Sequence, residues 1–192
     1  LKSFAIVLYG FCGVSMGNIA RLFKVSTVAV LKWVKSAAAQ INPPDKAKKP
    51  EIVMIDKFWH FVNGKKNTIW LWRAIDGISR APIGRHMGTR SDACLRELVQ
   101  KVDTGKCSFV TDEWGGFYRV LPEERHFVGK DLTFPIEATN SDIRHRVARF
   151  HRRSKVTSRS LAMVNVLLDI FHHLQSKENL EKLLKPILSF FS

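Results

Sequence analysis

Three carboxylates stand where phosphodiester chemistry could use them. Asp56 follows the apolar run Ile52-Val53-Met54-Ile55 and precedes Phe58-Trp59. A carboxylate in such a strand is costly unless it is paired or binds a cation. Asp112 follows Cys107-Ser108-Phe109-Val110-Thr111, a short buried strand. The end of such a strand is the usual place for a ligand-binding residue in an α/β sheet. Glu137 falls near the start of a helical stretch that runs on to Asn140 and Arg144. Each acid alone reads more simply as a cap, a surface ion pair or a solvated strand end. Two on adjacent strands and a third on a helix can hold two divalent cations about 4 Å apart, which activate a water and stabilise a leaving oxygen.

The elements that must position these acids can be read from periodicity. Residues 52–62 form a strand that is apolar at first and then roughly alternating, Asn63-Gly64 signals a hairpin, and Thr68 to Asp76 returns as a second strand. Residues 81–86 are a weaker third strand. Ser91 to Val102 reads as an amphipathic helix with Ala93, Leu95, Leu98 and Val99 on its apolar side. From Ile136 the chain looks helical to its end, with a break around Ser176. Three strands, a helix, another strand and more helices make an α/β layered domain. Trp59, Trp70, Trp72 and Trp114 could stack on bases, but at alternating strand positions they read as core. His172-His173 read as surface or core, since adjacent helical residues point in different directions.

Residues 1–40 read as three helices. Leu1 to Tyr9 is apolar, Ser15 can cap a short second helix to Phe23, and Ser26 can cap a third through about Ala39. Val30, Trp33 and Val34 would face the core of this piece, leaving Thr27, Ala29, Lys32 and Lys35 for solvent or a ligand. The spacing is that of a helix-turn-helix, whose second helix enters the major groove. A three-helix interaction module is the plainer alternative. Residues 41–50, rich in proline and lysine, read as an extended linker. The domains expected are therefore 1–40, the linker 41–50, an α/β domain over 51–160 and C-terminal helices over 161–192, the last apolar enough to cover the sheet or join two copies.

The charge points to a polyanion. Lys and Arg number 31 against 17 Asp and Glu, a net charge of +14, and cations that neutralise phosphates gain affinity by releasing counterions. Residues 1–50 hold eight bases and one acid, and Arg144 to Arg159 holds seven bases and no acid. Such a run can be a solvated helix face; the unmatched sign favours phosphate contact. Three cysteines are too few and too scattered for a disulfide framework or a four-cysteine zinc site, so a reducing interior fits. The apolar runs are short and broken by charge, which excludes a membrane-spanning helix. With Leu1 first and no readable signal peptide, N-terminal truncation is expected.

These residues carry a resemblance. The chain resembles the insertion-sequence-one family of bacterial transposases, which are of the DDE class with a ribonuclease-H-like core. Residues 5–36 resemble the family's helix-turn-helix. Ile55-Asp56 with Trp59 and Phe61-Val62 resembles its first-acid strand, and Thr111-Asp112 with Trp114 and Tyr118 its second-acid segment. His126, Lys130 and Thr133 have the spacing of its His-x3-Lys-x2-Thr element. Ile136-Glu137, Asn140, Arg144, Ala148-Arg149 and Arg152-Arg153 resemble the third-acid helix and its basic extension. The 24 residues between Asp112 and Glu137 are a gap typical of the family. There are departures: Lys57 stands where the family usually has an acid, Glu113 where it has glycine, and its N-terminal zinc-binding cysteines are absent. Strand alternation would turn Lys57 to the face opposite Asp56, so it need not cancel the site's charge.

The resemblance implies that Asp56, Asp112 and Glu137 bind two Mg²⁺ ions, with Mn²⁺ able to substitute, for cutting DNA ends and joining them to a target. It implies that Thr27, Lys32 and Lys35 read terminal inverted repeats, and that His126, Lys130, Asn140, Arg144, Arg149, Arg152 and Arg153 contact DNA. It further implies a homodimer or larger assembly and a bacterial cytoplasmic, nucleoid-associated location. Two alternatives stay open: a DNA-binding protein that has lost catalysis, and a ribonuclease-H-like nuclease that cuts without joining.

Overall fold

The Asn63-Gly64 pair adopts positive φ at both residues, +55° and +116°, and turns the chain back on itself. The loop runs through Lys66 and is closed by the Val62 N–H donating to the Asn67 carbonyl at 3.1 Å. On either side lie β1 (Ile52–Phe61) and β2 (Thr68–Asp76), antiparallel, followed by β3 (Pro82–Gly88), antiparallel to β2. The computed structural model describes residues 1–41, 50–147, 150 and 158–189; the linker expected at 41–50 lies almost wholly outside them.

After β3 the chain forms α4 (Asp92–Val102), capped by the Ser91 hydroxyl, which accepts from the Cys94 N–H. It then enters β4 (Ser108–Thr111), parallel to β1, and α5 (Gly115–Val120). A 3-10 turn over Glu123–Arg125 leads to β5 (His126–Val128), parallel to β4. The sheet order is β3-β2-β1-β4-β5. This is the expected α/β architecture, with a mixed sheet and one extra strand, β5. Last in this unit comes α6 (Phe134–Arg146), of which residues up to Ile143 belong with the sheet.

Alternation sorts β1 onto two faces. Val53 and Ile55 join Trp72, Ala74, Leu95, Leu98, Phe109 and Phe117 in the larger core under α4 and α5. Met54 packs on the other face with Ile75, Val110 and Ile136. On α4 the buried side chains are Leu95, Leu98 and Val102, and Ala93 is exposed, one position off the expected stripe. A Cβ at Gly84 would lie 2.4 Å from Val102 Cγ1, so glycine there lets α4 lie close on β3. Trp72 is fully buried, and Trp70 and Trp114 pack on the same core, which bears out the core reading for these three.

A second unit holds α1 (Lys2–Gly10), α2 (Met16–Phe23), α3 (Thr27–Ala39), α7 (Leu161–Gln175) and α8 (Lys177–Leu188). Ser15, Ser26 and Ser160 cap α2, α3 and α7 through their hydroxyls, each satisfying a donor the first helical turn leaves open. Lys24 ends α2 in the left-handed region at φ 54°, its N–H turned back to the Ala20 and Arg21 carbonyls, which sets the tight turn into α3. Val30 and Val34 are buried, while Thr27, Lys32 and Lys35 are exposed. Ser176 is extended and breaks α7 from α8 as expected. No helix among the described residues is long and apolar enough to cross a membrane.

Candidate active site

The two sheet acids owe their proximity to one register. Along the parallel pair, Met54 sits beside Val110, so two residues further on Asp56 and Asp112, the latter just past the end of β4, come to neighbouring levels of the sheet. The two carboxylates feel one another, Asp112 contributing to the rise in the Asp56 pKa.

Asp56 points to the α6 face. Its Oδ2 accepts from Asn140 Nδ2 at 2.7 Å, and its antiparallel neighbour on β2 is Arg73. Burial pushes its carboxyl above the ordinary value; the Lys57 backbone N–H, the Lys57 charge and the Asn140 amide oppose this. Arg73 is only 3% exposed. Its Nη1 donates to Asn140 Oδ1 and, at 3.2 Å, to Thr139 Oγ1. Burial lowers its pKa to about 10, with the Asp56 charge working against the fall and Arg85 adding to it. Arg73, Asn140 and Asp56 thus form one chain of polar contacts between sheet and helix. Ile136, Asn140 and Ile143 reach the sheet side because they recur at helical spacing on α6.

Asn140, expected to contact DNA, is instead turned to the sheet in this structure. It is 3% exposed and bonded to Asp56 and Arg73, so it braces an acid. Arg73 had no part in the sequence reading. Its signal was a lone cation in an aromatic strand opposite a lone acid in the facing strand.

Asp112 is held on the opposite side. Lys57 leaves β1 toward the α4 and α5 face, as alternation requires, yet its Nζ reaches Asp112 Oδ2 at 2.6 Å and Oδ1 at 2.9 Å. Lys57 nonetheless brings its charge to Asp112, for a simple reason. A four-carbon stem carries the ammonium past the strand end, where Asp112 turns to meet it. The Lys57 side chain is 4% exposed and that of Asp112 41%. The ammonium lies 4.8 Å from the Phe117 ring centre and 5.3 Å from that of Trp114, close enough for cation–π attraction. The Trp114 N–H adds a third donor to Asp112, at 3.0 Å on Oδ1.

Glu137 is exposed on the first turn of α6. Its Oε1 lies 3.1 Å from the Thr133 hydroxyl, which is also 2.9 Å from the Lys130 carbonyl. His126 Nε2 is 2.7 Å from Thr111 Oγ1, and the Thr111 hydroxyl in turn donates to the Asp112 carbonyl at 2.9 Å. His126 therefore carries its proton on Nε2, and burial lowers its pKa. It backs the Asp112 segment from β5, while Lys130 is exposed. Among the described residues no three of His, Cys, Asp and Glu are placed to share a metal ion. Arg144 lies in the last turn of α6; Arg149, Arg152 and Arg153 lie outside the described residues.

Comparison with known proteins gives the chain its family. Residues 51–178 match the family model described as IS1 transposase. The insertion element iso-IS1n protein InsB of Shigella dysenteriae is 31% identical over 121 residues, 62% of this chain and 92% of that one. The insertion element IS1 protein InsB of Shigella flexneri is 28% identical over 124 residues, 64% of this chain and 93% of that one. Among solved structures, a chain of the simian T-cell lymphotropic virus intasome in complex with the PP2A regulatory subunit B56 gamma is similar at a TM-score of 0.44. It is 15% identical, over 87% of this chain and 64% of that one. The matched span takes in every strand of the sheet and all three acids. The chain belongs to the IS1 transposase family.

Proposed function

We propose that this chain is a transposase that binds the terminal inverted repeats of its element and cuts and joins DNA at Asp56, Asp112 and Glu137. In this reading α2 and α3 are the helix-turn-helix, with Thr27, Lys32 and Lys35 turned to DNA, and Lys130, Arg144, Arg149, Arg152 and Arg153 bind phosphates. Family membership and the mixed five-stranded sheet support a ribonuclease-H-like core. The observation that carries the proposal is the β1–β4 register, which brings two acids 56 positions apart in sequence to neighbouring places.

The family implies divalent metal ions. The residues as placed do not fit a centre for two of them. Both oxygens of Asp112 are taken by the Lys57 ammonium, Asp56 is drawn to the other face by Asn140, and among the described residues no three donors converge. Asp56 still offers a half-buried carboxylate beside Asp112, and the other side chains steer DNA and hold that carboxylate in place. The Lys57–Asp112 pair favours one other reading, a DNA-binding member of the family whose cutting is shut off.

Nicking of supercoiled plasmid in Mg²⁺ or Mn²⁺ buffer, by the intact protein and by Asp56→Asn, separates the two. The expected result is nicking that needs a high divalent-metal concentration, because the ion must displace the Lys57 ammonium from Asp112, and that Asp56→Asn, a poorer metal ligand, loses. Equal traces from the two proteins, with plasmid still retarded in a gel shift, would leave only the DNA-binding reading.

A further inference from the structure

The Lys57 side chain is 4% exposed, and its ammonium donates to both oxygens of one carboxylate and lies against two aromatic rings. The slot itself is apolar: Trp72, Trp114 and Phe117 pack on one another with ring centres 5.2–6.2 Å apart. Nothing in such a slot calls for a lysine except the carboxylate at its mouth. A hard divalent cation needs carboxylate oxygens at about 2.0–2.1 Å for Mg²⁺. Its approach to Asp112 would set a double positive charge against the ammonium already there. The occupant is also covalently tethered, so its local concentration does not fall on dilution, while a free ion must compete for the same oxygens.

We infer that Lys57 is the resident cation of this carboxylate centre: its ammonium holds the place on Asp112 that a divalent ion would take, so the intact chain binds such an ion weakly there. The inference rests on the reading of Asp56 and Asp112 as one centre. It names Lys57 as the positioning residue that decides whether a hard divalent cation enters it.

Mn²⁺ titration followed by the electron paramagnetic resonance of the free ion reads this without any turnover. The proteins compared are the intact chain, Lys57→Met, which keeps the length and fills the slot, and Lys57→Met with Asp112→Asn. Far-UV circular dichroism checks folding, and Lys57→Gln replaces Lys57→Met if the methionine variant does not fold. The expected result is at least tenfold tighter Mn²⁺ binding in Lys57→Met, with the gain gone in the double variant. Equal binding by the intact chain and the folded lysine variant would overturn the inference, as would a gain that survives Asp112→Asn. Loss of the transposase reading appears in the plasmid assay instead and leaves this titration unchanged.

Discussion

Replacing Arg73 by methionine is expected to lower the unfolding free energy by about 1–3 kcal/mol, the usual cost of leaving a buried acceptor without its donor. The melting temperature should fall by roughly 3–10 °C. Arg73 is buried in the middle of β2 opposite Asp56 and ties Asn140 and Thr139 of α6 to the sheet. Methionine fills much of the volume but leaves the Asn140 amide oxygen without its donor and takes away a buried positive charge that interacts with Asp56. The loss should depend on pH in a defined direction. Burial already raises the Asp56 carboxyl above 3.8. Between that value and its folded pKa the folded chain binds more protons than the unfolded one, so this group's contribution weakens as pH rises. Without Arg73 the folded pKa climbs further. The gap between variant and intact protein should thus be widest near neutral pH and narrow on acidification. Thermal melts at several pH values test this, and a loss below about 1 kcal/mol, flat with pH, would show that Arg73 does not brace the acid.

The second large effect concerns the pair on the opposite face. Asp112→Leu leaves the Lys57 ammonium in its aromatic slot with no counter-charge. A fully buried pair would lose 3–5 kcal/mol on such a change; with Asp112 41% exposed, water screens part of it, and about 2–3 kcal/mol is expected. Lys57→Met removes the buried charge and should cost about 1 kcal/mol or less. The double variant should lie close to the intact protein, because a well-packed apolar pair replaces a buried ionic one at little cost. Urea unfolding of the four proteins closes the cycle. If the double variant lost the sum of the two single effects, Lys57 and Asp112 would not be coupled, and the resident-cation inference would lose its structural basis.

Much of this fold was readable residue by residue. Ser15 and Ser26 announced two helix starts because a hydroxyl before an apolar periodic run has a definite job at an open helix end. Thr68 and Asp76 bound β2 as expected. By contrast β5 spans three residues, His126–Val128, too few for alternation to register. The expected helix from Ile136 onward instead stops at Arg146, where Val147 is buried outside the helix.

The site was harder, because it depends on register and reach. A two-residue turn at Asn63-Gly64 would set Asp56 opposite Leu71; the observed loop through Lys66 slides β2 by two places and brings Arg73 there. A shift of two keeps every side chain on its face, so hydrophobic pattern alone could not tell the two pairings apart. Lys57 shows the limit of reasoning from faces. Alternation gave its starting direction correctly, and only the flexible stem decides where the charge ends.

The sheet order has a further consequence, in time. β1, β2 and β3 follow one another through loops of a few residues, so each pairs with a neighbour in sequence. The β1–β4 pairing must instead close a span of more than fifty residues, as the 55 separating Lys57 from Asp112 show. Closing a longer loop costs more chain entropy before any contact offsets it. The three-strand meander can therefore exist before the acids meet, and Asp56 meets Asp112 only when the last and most distant pairing forms. Amide exchange should then be slower in the centre of β1 and β2 than in β4, and the reverse order would contradict this sequence of closure. The chemistry of the centre is gated by the least local contact in the sheet.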